Sequence, residues 1–308
     1  MNDQNNTLQS AAQTAGIDAV GVANLDELKQ FVNRIEPFQD APVAFYRGAL
    51  ADKFDYKKIW NKTSSIISFA VSYQSMIQPP DDEINYGKIA KCAYGEDYHI
   101  VLRRKAETLL SVLKQRFGEF QYIVMVDDGK ISDRACAYSA GIGFFGKNGF
   151  IIHPQYGSFI FLGTILTDLH LNENMQFFDS QCGDCFACIK ECPNGALSEH
   201  IGFAYEKCIS YQTQKGMQTD TKGYLYGCDI CQDSCKFNRN APVNLHSEFS
   251  SKSDLAFPDP KQIIAMGADQ FKERYGKSSL YWRGYKTLRK NSEYMLTQLN
   301  CNIDRKEE

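Results

Sequence analysis

The spacing of the cysteines constrains this chain more than any other feature. Eight of the eleven cysteines lie between residues 182 and 235, and the first four read CGDCFACIKECP from Cys182 to Pro193. Gaps of two, two and three residues followed by proline are typical of the ligands of a bacterial [4Fe–4S] ferredoxin. The run therefore predicts a chain that carries electrons.

A second set of cysteines supplies the remaining ligands that a two-cluster ferredoxin needs. In such ferredoxins the fourth cysteine of each run binds the cluster of the other run. If that rule holds here, both clusters have four thiolates. The first cluster then takes Cys182, Cys185, Cys188 and Cys235, and the second takes Cys192, Cys208, Cys228 and Cys231.

Zinc is the alternative metal for these cysteines, because Cys-x2-Cys pairs also suit tetrahedral zinc sites. Zinc sites rarely carry four cysteines at this spacing followed by proline, whereas a cubane needs such a tight wrap to reach its first three irons. We therefore favour two [4Fe–4S] clusters over a pair of zinc ribbons.

Length and composition indicate a soluble chain with a sizeable core. At 308 residues, with 43% hydrophobic and 23% charged residues, it can hold one large domain and a small one. The sequence has no apolar run near the roughly 18 residues that a membrane span needs. Its start, MNDQNNTLQS, has neither the basic nor the apolar region of an export signal. We predict a cytoplasmic protein without membrane contact, because thiols stay reduced in that compartment.

A basic and aromatic stretch extends from Lys272 to Lys290. The net charge of −3 argues against a protein coated in positive charge, but this stretch carries seven basic residues against the single acid Glu273. Aromatic residues are interleaved with them at Tyr275, Tyr281, Trp282 and Tyr285. Such a mixture is what phosphate contacts and base stacking require. An ordinary solvated helical face is the alternative, and composition does not decide between the two.

Apolar runs and one helical pattern predict an α/β (α+β) domain in the first part of the chain. Between the strand-like runs, apolar residues recur at helical spacing from Ala106 to Phe117, and Gly118 is placed to end that helix. The strand-like runs, rich in β-branched and aromatic residues, are 65–73, 121–126 and 158–166.

Three segments are expected along the chain. Residues 1–175 form the catalytic α/β domain, and a polar linker at 172–181 leads into a cluster-binding domain at 176–245. Residues 246–308 are polar and mostly helical in pattern.

The glycine-rich segment from Gly141 to Gly146 matches a dinucleotide-binding fingerprint, and Asp168 lies where the ribose-binding acid would be. That fingerprint needs a strand before it and a helix after it. Here the residues from Ala135 to Ala140 are helical in pattern, and a strand-like run follows. We therefore predict a turn that joins a helix to a strand.

Two adjacent carboxylates, Asp127 and Asp128, follow a predicted strand and precede Gly129. A carboxyl that a hydrophobic ligand desolvates holds its proton more tightly and becomes a proton donor. A turn with solvated aspartates is the alternative. Ser132 or Asp133 would cap the helix that follows.

The clusters themselves offer no open iron position if all four thiolates of each are used. The chemistry must then take place elsewhere in the protein. A second redox group is therefore expected in residues 1–175.

Several short segments, together with the cysteine runs, carry a resemblance to one known family. They are CAYGEDYH at 92–99, MVDDGKISDR at 125–134, AGIGFFGKN at 140–148, YGS at 156–158, YGCDIC at 226–231 and WRG at 282–284. With them the chain resembles, along nearly its whole length, the epoxyqueuosine reductases, which are cobalamin-dependent iron–sulfur enzymes of tRNA queuosine synthesis. The resemblance implies a nitroreductase-like domain that holds base-off cobalamin beside a ferredoxin-like module with two [4Fe–4S] clusters.

The activity that the resemblance implies is reduction of the epoxide of epoxyqueuosine, at the wobble position of a tRNA, to queuosine. Cob(I/II)alamin, fed by the two clusters, would be the reductant. An external one-electron donor of the flavodoxin or ferredoxin type would supply the electrons, and we expect a monomer.

The resemblance also implies roles for individual residues. Asp127 matches the family's proton donor, and Lys53 stands where relatives often carry arginine. Contact with tRNA is expected at Lys286, Arg289 and Lys290. The positions that match cobalamin-binding residues are Lys53, Cys92, Asp127, Lys147, Ile151, Leu162, Ser210, Cys228 and Asp229.

Two other classes of function fit part of this pattern. A reductive dehalogenase acting on a small organohalide shares the expected cofactors, but it commonly carries an export signal and would not need the basic aromatic stretch. A non-enzymatic electron carrier would use residues 1–175 only to dock a partner.

Overall fold

The computed structural model describes residues 3–28, 53–173, 178–198 and 202–307. Its α-helices are α1 (Asp3–Thr14), α2 (Tyr56–Ile59), α3 (Tyr98–Phe117), α4 (Asp133–Ser139), α5 (Ala187–Glu191), α6 (Ile209–Lys215), α7 (Ile230–Asp233), α8 (Ser253–Ala256), α9 (Pro260–Ala265), α10 (Ala268–Tyr275) and α11 (Tyr285–Glu307). Its strands are β1 (Ala19–Val22), β2 (Ser65–Ser72), β3 (Lys88–Ile89), β4 (Tyr122–Met125), β5 (Phe144–Phe145), β6 (Ile151–Ile152), β7 (Ile160–Thr167), β8 (Leu197–Ser198), β9 (Gly202–Phe203) and β10 (Tyr224–Tyr226).

A four-stranded sheet in the order β1-β2-β7-β4 forms the centre of the larger domain. All eight residues of β2 are buried, because helices cover both faces of the sheet. Ile67, Phe69 and Val71 lie in the apolar cluster formed with α1 and α3. Ile66 and Ala70 point to the opposite face, into the cluster formed with α4, as the two-residue period of a strand requires. Every pairing in this sheet is antiparallel, so the domain is of the α+β type.

The three strand-like runs of the sequence correspond to β2, β4 and β7, which confirms those predictions. Strand β7 begins at Ile160, two residues later than predicted. The reason is that the backbone N–H of Ser158 donates to Asn238 Oδ1 (2.7 Å) in the cysteine-rich part of the chain. The start of strand β7 therefore lies where the sheet domain contacts the cysteine-rich residues.

Helix α3 begins at Tyr98, well before the apolar pattern from which a helix was predicted. The Asp97 side chain caps it by accepting the backbone N–H of His99 (3.0 Å). Gly118, with φ +80°, ends it as predicted. The added turns carry Tyr98 to the edge of the sheet, close to the end of β4.

The predicted turn after the helix at 133–140 is also confirmed. Ser132 caps α4 by accepting the backbone N–H of Ala135 (3.3 Å). Gly141, with φ +68°, follows the helix and leads into strand β5.

The cysteine-rich residues fold around short elements that pack against the sheet domain. Strand β10 pairs in parallel with β3, with Tyr224 opposite Lys88 and Tyr226 opposite Ile89. The helices near the C-terminus share one apolar cluster with Ile89 and Leu225, so they contact both other parts of the chain. The segment boundaries at 175 and 245 stay a prediction. Across the described parts of the chain, no helix has the length and apolar character that a bilayer crossing requires.

Candidate active site and cluster sites

Four cysteines converge between the loop before α5 and the residues after α7, and we call them the first cysteine group. Desolvation raises the pKa of the Cys188 thiol, and the neighbouring Cys182, Cys235 and Cys185 raise it further. Cys182 and Cys185 contribute in the same way to the raised pKa of Cys235, whose main cause is also desolvation. The four side chains line one cavity.

The other four cysteines form a second cysteine group, made of Cys192, Cys208, Cys228 and Cys231. Desolvation raises the pKa of Cys228, and both Cys208 and Cys192 lie close enough to affect it. Desolvation raises the pKa of the Cys231 thiol, and the neighbouring Cys228 and Cys208 raise it further, as does Cys188 of the first group. The structure thus brings the cysteines together in the two sets that the cross-ligation rule predicts, and the two sets adjoin.

The arrangement of these groups differs from that of a site for a single ion. Within the described residues, no three Cys, His, Asp or Glu side chains are placed to hold one metal ion. The spacing of the cysteines in the sequence matches the ligands of a [4Fe–4S] ferredoxin, and this spacing is what favours a cubane over zinc.

Lys147 lies beside the first cysteine group. Its Nζ donates to the carbonyl oxygen of Gly183 (2.7 Å) and lies 3.4 Å from the ring centroid of Phe186. The next residue, Asn148, is buried, and its Nδ2 has no hydrogen-bond partner among the residues that the structure describes. Both residues line the cavity of the first group, so polar donors face the space where a cluster would lie.

Asp127 lies in the turn after β4, and it is exposed. Its φ of +46° is in the left-handed region, which aspartate occupies more readily than most non-glycine residues. Tyr98 Oη donates to Asp127 Oδ2 (2.6 Å), and the backbone N–H of Asp127 donates to Asp133 Oδ2 (3.3 Å). Desolvation and the charge of Asp127 raise the pKa of Tyr98, so its hydroxyl stays protonated.

Cys92 and Asp229 lie on the wall of the same site. Desolvation raises the pKa of the Cys92 thiol, and both Asp229 and Asp127 are near enough to raise it further. Asp229 is buried and accepts the backbone N–H of Lys91 (2.7 Å). Burial raises the pKa of Asp229 to about 6, while Lys91 opposes that rise. The structure therefore places these three predicted residues around one site.

Tyr73 connects this site to the second cysteine group. It is buried, and its pKa is raised by burial and by Cys92, Asp229 and Cys231. Its phenol therefore lies near both the Asp127 site and a predicted cluster ligand. Sequence reasoning did not identify Tyr73, because it occurs as the last residue of an ordinary apolar strand run.

Asp97 and Trp282 form a polar contact at the mouth of the site, and sequence reasoning missed it too. Trp282 Nε1 donates to Asp97 Oδ2 (2.6 Å), while His99 Nδ1 lies 2.7 Å from Asp97 Oδ1. Burial opposes ionisation of Asp97, but the hydrogen bonds from Trp282 and His99 outweigh it and lower the pKa of the carboxyl. Trp282 is 75% exposed, so one large aromatic surface stands open beside Asp97, which immediately precedes Tyr98 in the chain.

The remaining residues predicted to bind cobalamin lie in different surroundings. Lys53 is buried, and its Nζ donates to the carbonyl oxygen of Gly129 in the Asp127 turn. Ile151 is buried in β6, and Leu162 of β7 packs against the same apolar cluster. Ser210 follows Cys208, and its backbone N–H contributes a hydrogen bond to that thiol.

Lys286, Arg289 and Lys290 are exposed on helix α11. Arg289 is paired with Glu293 (2.8 Å) and donates to Tyr285 Oη (3.2 Å). Two residues of the basic aromatic stretch contact the surroundings of Asp127: Trp282 Nε1 donates to Asp97 Oδ2 (2.6 Å), and Ser279 Oγ donates to the carbonyl oxygen of Cys92 (3.2 Å).

Two protein-family models match the chain. Residues 53–128 match the model described as "Epoxyqueuosine reductase QueG, DUF1730", and residues 181–238 match "4Fe-4S double cluster binding domain". The second match contains both cysteine groups. Fold and sites together define an iron–sulfur oxidoreductase with two [4Fe–4S] clusters.

Relatives with known names extend over nearly the whole chain. The epoxyqueuosine reductase of Lactococcus garvieae (strain Lg2) is 31% identical over 303 residues, which are 95% of this chain and 86% of the relative. A structure of epoxyqueuosine reductase with an epoxyqueuosine-modified tRNA-Tyr stem loop is 32% identical, with a TM-score of 0.85 over 95% of this chain and 80% of that one. A Bacillus subtilis structure, described with its catalytic aspartate loop swung out of the active site, is 30% identical with a TM-score of 0.84 over the same shares.

The chain belongs to the epoxyqueuosine reductase family. This confirms the resemblance predicted from the sequence and favours the reductase over the dehalogenase.

Proposed function

We propose that this protein reduces the epoxide of epoxyqueuosine, carried at the wobble position of a tRNA, to the alkene of queuosine. The observation that carries the proposal is the position of Asp127, which Tyr98 holds at the end of β4 and which lies near Cys92. A relative solved with a modified tRNA stem loop supports tRNA as the substrate. With a tRNA substrate, the reaction would take place in the cytoplasm.

Cobalamin is the group that the residues around Asp127 would hold, in its base-off form. The neutral hydroxyl of Tyr98 and the neutral thiol of Cys92 suit the amide side chains of a corrin, because both groups stay protonated. When bound, cobalamin supplies low-valent cobalt as the reductant. The residues that would form its site are Lys53, Cys92, Asp127, Lys147, Ile151, Leu162, Ser210, Cys228 and Asp229.

We expect electrons to pass from the first cysteine group to the second and then to the cobalamin. Cys231 of the second group lies near Tyr73, which also lies near Cys92. Both residues between Cys182 and Cys185, Gly183 and Asp184, are exposed, whereas between Cys228 and Cys231 Asp229 is buried and Ile230 is half-buried. A one-electron donor of the flavodoxin or ferredoxin type would therefore dock at the first group, and the second group would lie next to the cobalamin.

Asp127 would supply the proton for opening the epoxide. Conversion of the epoxide to the alkene consumes two electrons and two protons and releases the oxygen as water. Breaking the C–O bond develops negative charge on that oxygen, and a neutral carboxylic acid within reach can protonate it, typically worth a factor of about 10²–10⁴ in rate. The Tyr98 hydroxyl keeps the carboxyl oriented in the turn.

The tRNA would approach from the side of Trp282. A wobble base must leave its stack to reach an enclosed site, and exposed aromatic rings stabilise such a base. Trp282 is 75% exposed and hydrogen-bonded to Asp97 beside the site. Lys286, Arg289 and Lys290 would contact phosphates of the anticodon arm, and one monomer would hold all of these parts.

Anaerobic purification followed by iron, sulfide, cobalt and zinc analysis tests this function together with a turnover assay. About eight irons and eight sulfides per chain are expected from two cubanes, with one cobalt after addition of cobalamin. The enzyme should then convert an epoxyqueuosine-containing stem loop when given a reduced flavodoxin. Stoichiometric zinc, or loaded enzyme that leaves the epoxide intact, would contradict the proposal.

A further inference from the structure

Asp133, at the start of α4, contacts the turn that carries Asp127. The backbone N–H of Asp127 donates to Asp133 Oδ2 (3.3 Å). The hydroxyl of Thr164, a fully buried residue of β7, donates to Asp133 Oδ1 (2.5 Å). Each oxygen of this carboxylate therefore has a donor, one from the central sheet and one from the turn.

The turn itself needs such an anchor. Asp127 has a φ of +46°, a conformation that costs a non-glycine residue free energy unless its surroundings hold it. Its side chain is exposed and makes a hydrogen bond only to Tyr98 among the described residues. The backbone bond to Asp133 is the contact that ties the turn to the sheet through Thr164.

We propose that Asp133 is the positioning residue of the Asp127 proton donor, since its carboxylate fixes the left-handed turn against the central sheet. This inference rests on the proposed function, because it assumes that Asp127 donates the proton. Asp133 acts through Asp127 and does not touch the substrate.

The charges around Asp133 add a pH dependence to this anchor. Desolvation raises the pKa of Asp133 to about 7, and the charges of Asp127 and Asp128 add to that rise, while Thr164 opposes it. Cys136 lies on the same helix as Asp133. Desolvation raises the pKa of its thiol, and the charge of Asp133 raises it further. The cation in contact with the turn is Lys53, through the carbonyl oxygen of Gly129. Above pH 7 the anchor is an ionised acceptor, which makes stronger hydrogen bonds than a neutral one.

Three variants of the cluster-loaded enzyme test the anchor. Asp133→Ala removes the acceptor and should lower kcat for the epoxyqueuosine stem loop about 100-fold, with KM nearly unchanged. Asp133→Asn keeps an acceptor oxygen and should recover kcat to within about tenfold of the wild type, but lose the change in kcat near pH 7. Thr164→Val removes the bond between the same carboxylate and the sheet but leaves the Asp127 contact, so it should lower kcat by less than Asp133→Ala does.

Hydrogen–deuterium exchange provides a readout that does not depend on turnover. The peptide covering residues 126–131 should exchange faster in Asp133→Ala than in Thr164→Val, with equal exchange in strand β2. Equal exchange of that peptide in both variants, or wild-type kcat in Asp133→Ala, would overturn the inference. If Asp127→Asn itself keeps full activity, the proposed function fails instead, and the two failures are thereby distinguished.

Discussion

The hydroxyl of Tyr98 donates to Oδ2 of Asp127 at 2.6 Å, and this bond joins the first turn of α3 to the turn after β4. The ring of Tyr98 is fixed in turn by stacking on Phe161, at 4.3 Å between centroids with 6° between the planes. A rigid aromatic residue therefore orients an exposed carboxylate.

Asp127→Asn should lower turnover of the epoxyqueuosine stem loop by about 10²–10⁴-fold, because an amide cannot supply the proton. Iron content and the visible spectra of the clusters and cobalamin should not change. Asp128→Asn is the matched control, since Asp128 is exposed in the same turn and accepts only the backbone N–H of Lys130 among the described residues. Full activity in Asp127→Asn would remove this residue as the acid.

Tyr98→Phe should lower kcat about tenfold, since the ring stays stacked on Phe161 while the carboxylate loses one hydrogen bond. KM should change by less than about threefold if Tyr98 orients Asp127 and does not bind tRNA. Steady-state kinetics with the stem loop measure both constants. A loss confined to KM would reassign Tyr98 to substrate binding.

Cys188→Ser should remove about half of the iron and sulfide, because only the cluster of the first cysteine group loses a ligand. The remaining cluster should still be visible by electron paramagnetic resonance after reduction with dithionite. Cys136→Ala is the control, since Cys136 is buried in the sheet domain away from both groups. Complete loss of iron in Cys188→Ser would show that the two sites do not form independently.

Replacing Lys286, Arg289 and Lys290 together by alanine should weaken tRNA binding and flatten its salt dependence. The slope of log K against log salt should become shallower by about 0.7–0.9 for every phosphate that the protein no longer neutralises. Filter binding at several salt concentrations measures this slope. The double variant Lys114→Ala with Arg116→Ala is the control, because these residues lie at the other end of α3, about 24 and 27 Å along the helix from Tyr98. Equal slopes for both variants would reassign the three residues to a solvated surface.

Lowering the pH should destabilise the protein through His153. Burial lowers its pKa to about 4, although Asp18 opposes this, and its Nδ1 accepts the backbone N–H groups of Gln155 (3.1 Å) and Tyr156 (3.2 Å). An unfolded histidine titrates near 6.5, so this contribution is present above that pH and is lost as the pH falls toward 4. Between pH 7.5 and 5.5, anaerobic urea unfolding should show a loss of about 1 kcal/mol that His153→Gln lacks. His170→Gln, at an exposed position, should behave like the wild type.

The sequence was sufficient to predict three of the four strands of the central sheet, β2, β4 and β7, and the grouping of the cysteines, but not strand β1. Buried strands such as β2 and β7 are continuous apolar runs, and the cysteine spacing reflects the size of a cubane. Neither signal contains the order of the strands. The antiparallel pairing of β4 with β7 depends on contacts between residues 39 to 45 positions apart, such as Tyr122 with Thr167, and a local sequence pattern cannot indicate which residues pair.

The candidate site could be predicted in part, because Asp127 and Cys92 occur in short segments that resemble a known family. Its supporting residues could not be identified in this way. Trp282 and Asp97 are 185 positions apart, and only the folded chain brings them into contact. Asp97 could have been found as a helix cap, since aspartate is favoured at that position, but the apolar pattern of α3 starts too late to indicate it.

The parallel pairing of β3 with β10 bears on how the enzyme matures. Cys92 follows β3 by three residues and Cys228 follows β10 by two, so a proposed cobalamin-binding residue and a proposed iron-binding loop extend from the same pair of strands. A hydrogen bond from the backbone N–H of Lys91 to the Asp229 carboxylate joins the two segments that follow these strands. Before its cluster is inserted, this loop would not support the residues around Cys92. We therefore expect cluster insertion to precede stable binding of cobalamin. Damage by oxygen to the cluster of the second cysteine group would then release both that cluster and the cobalamin.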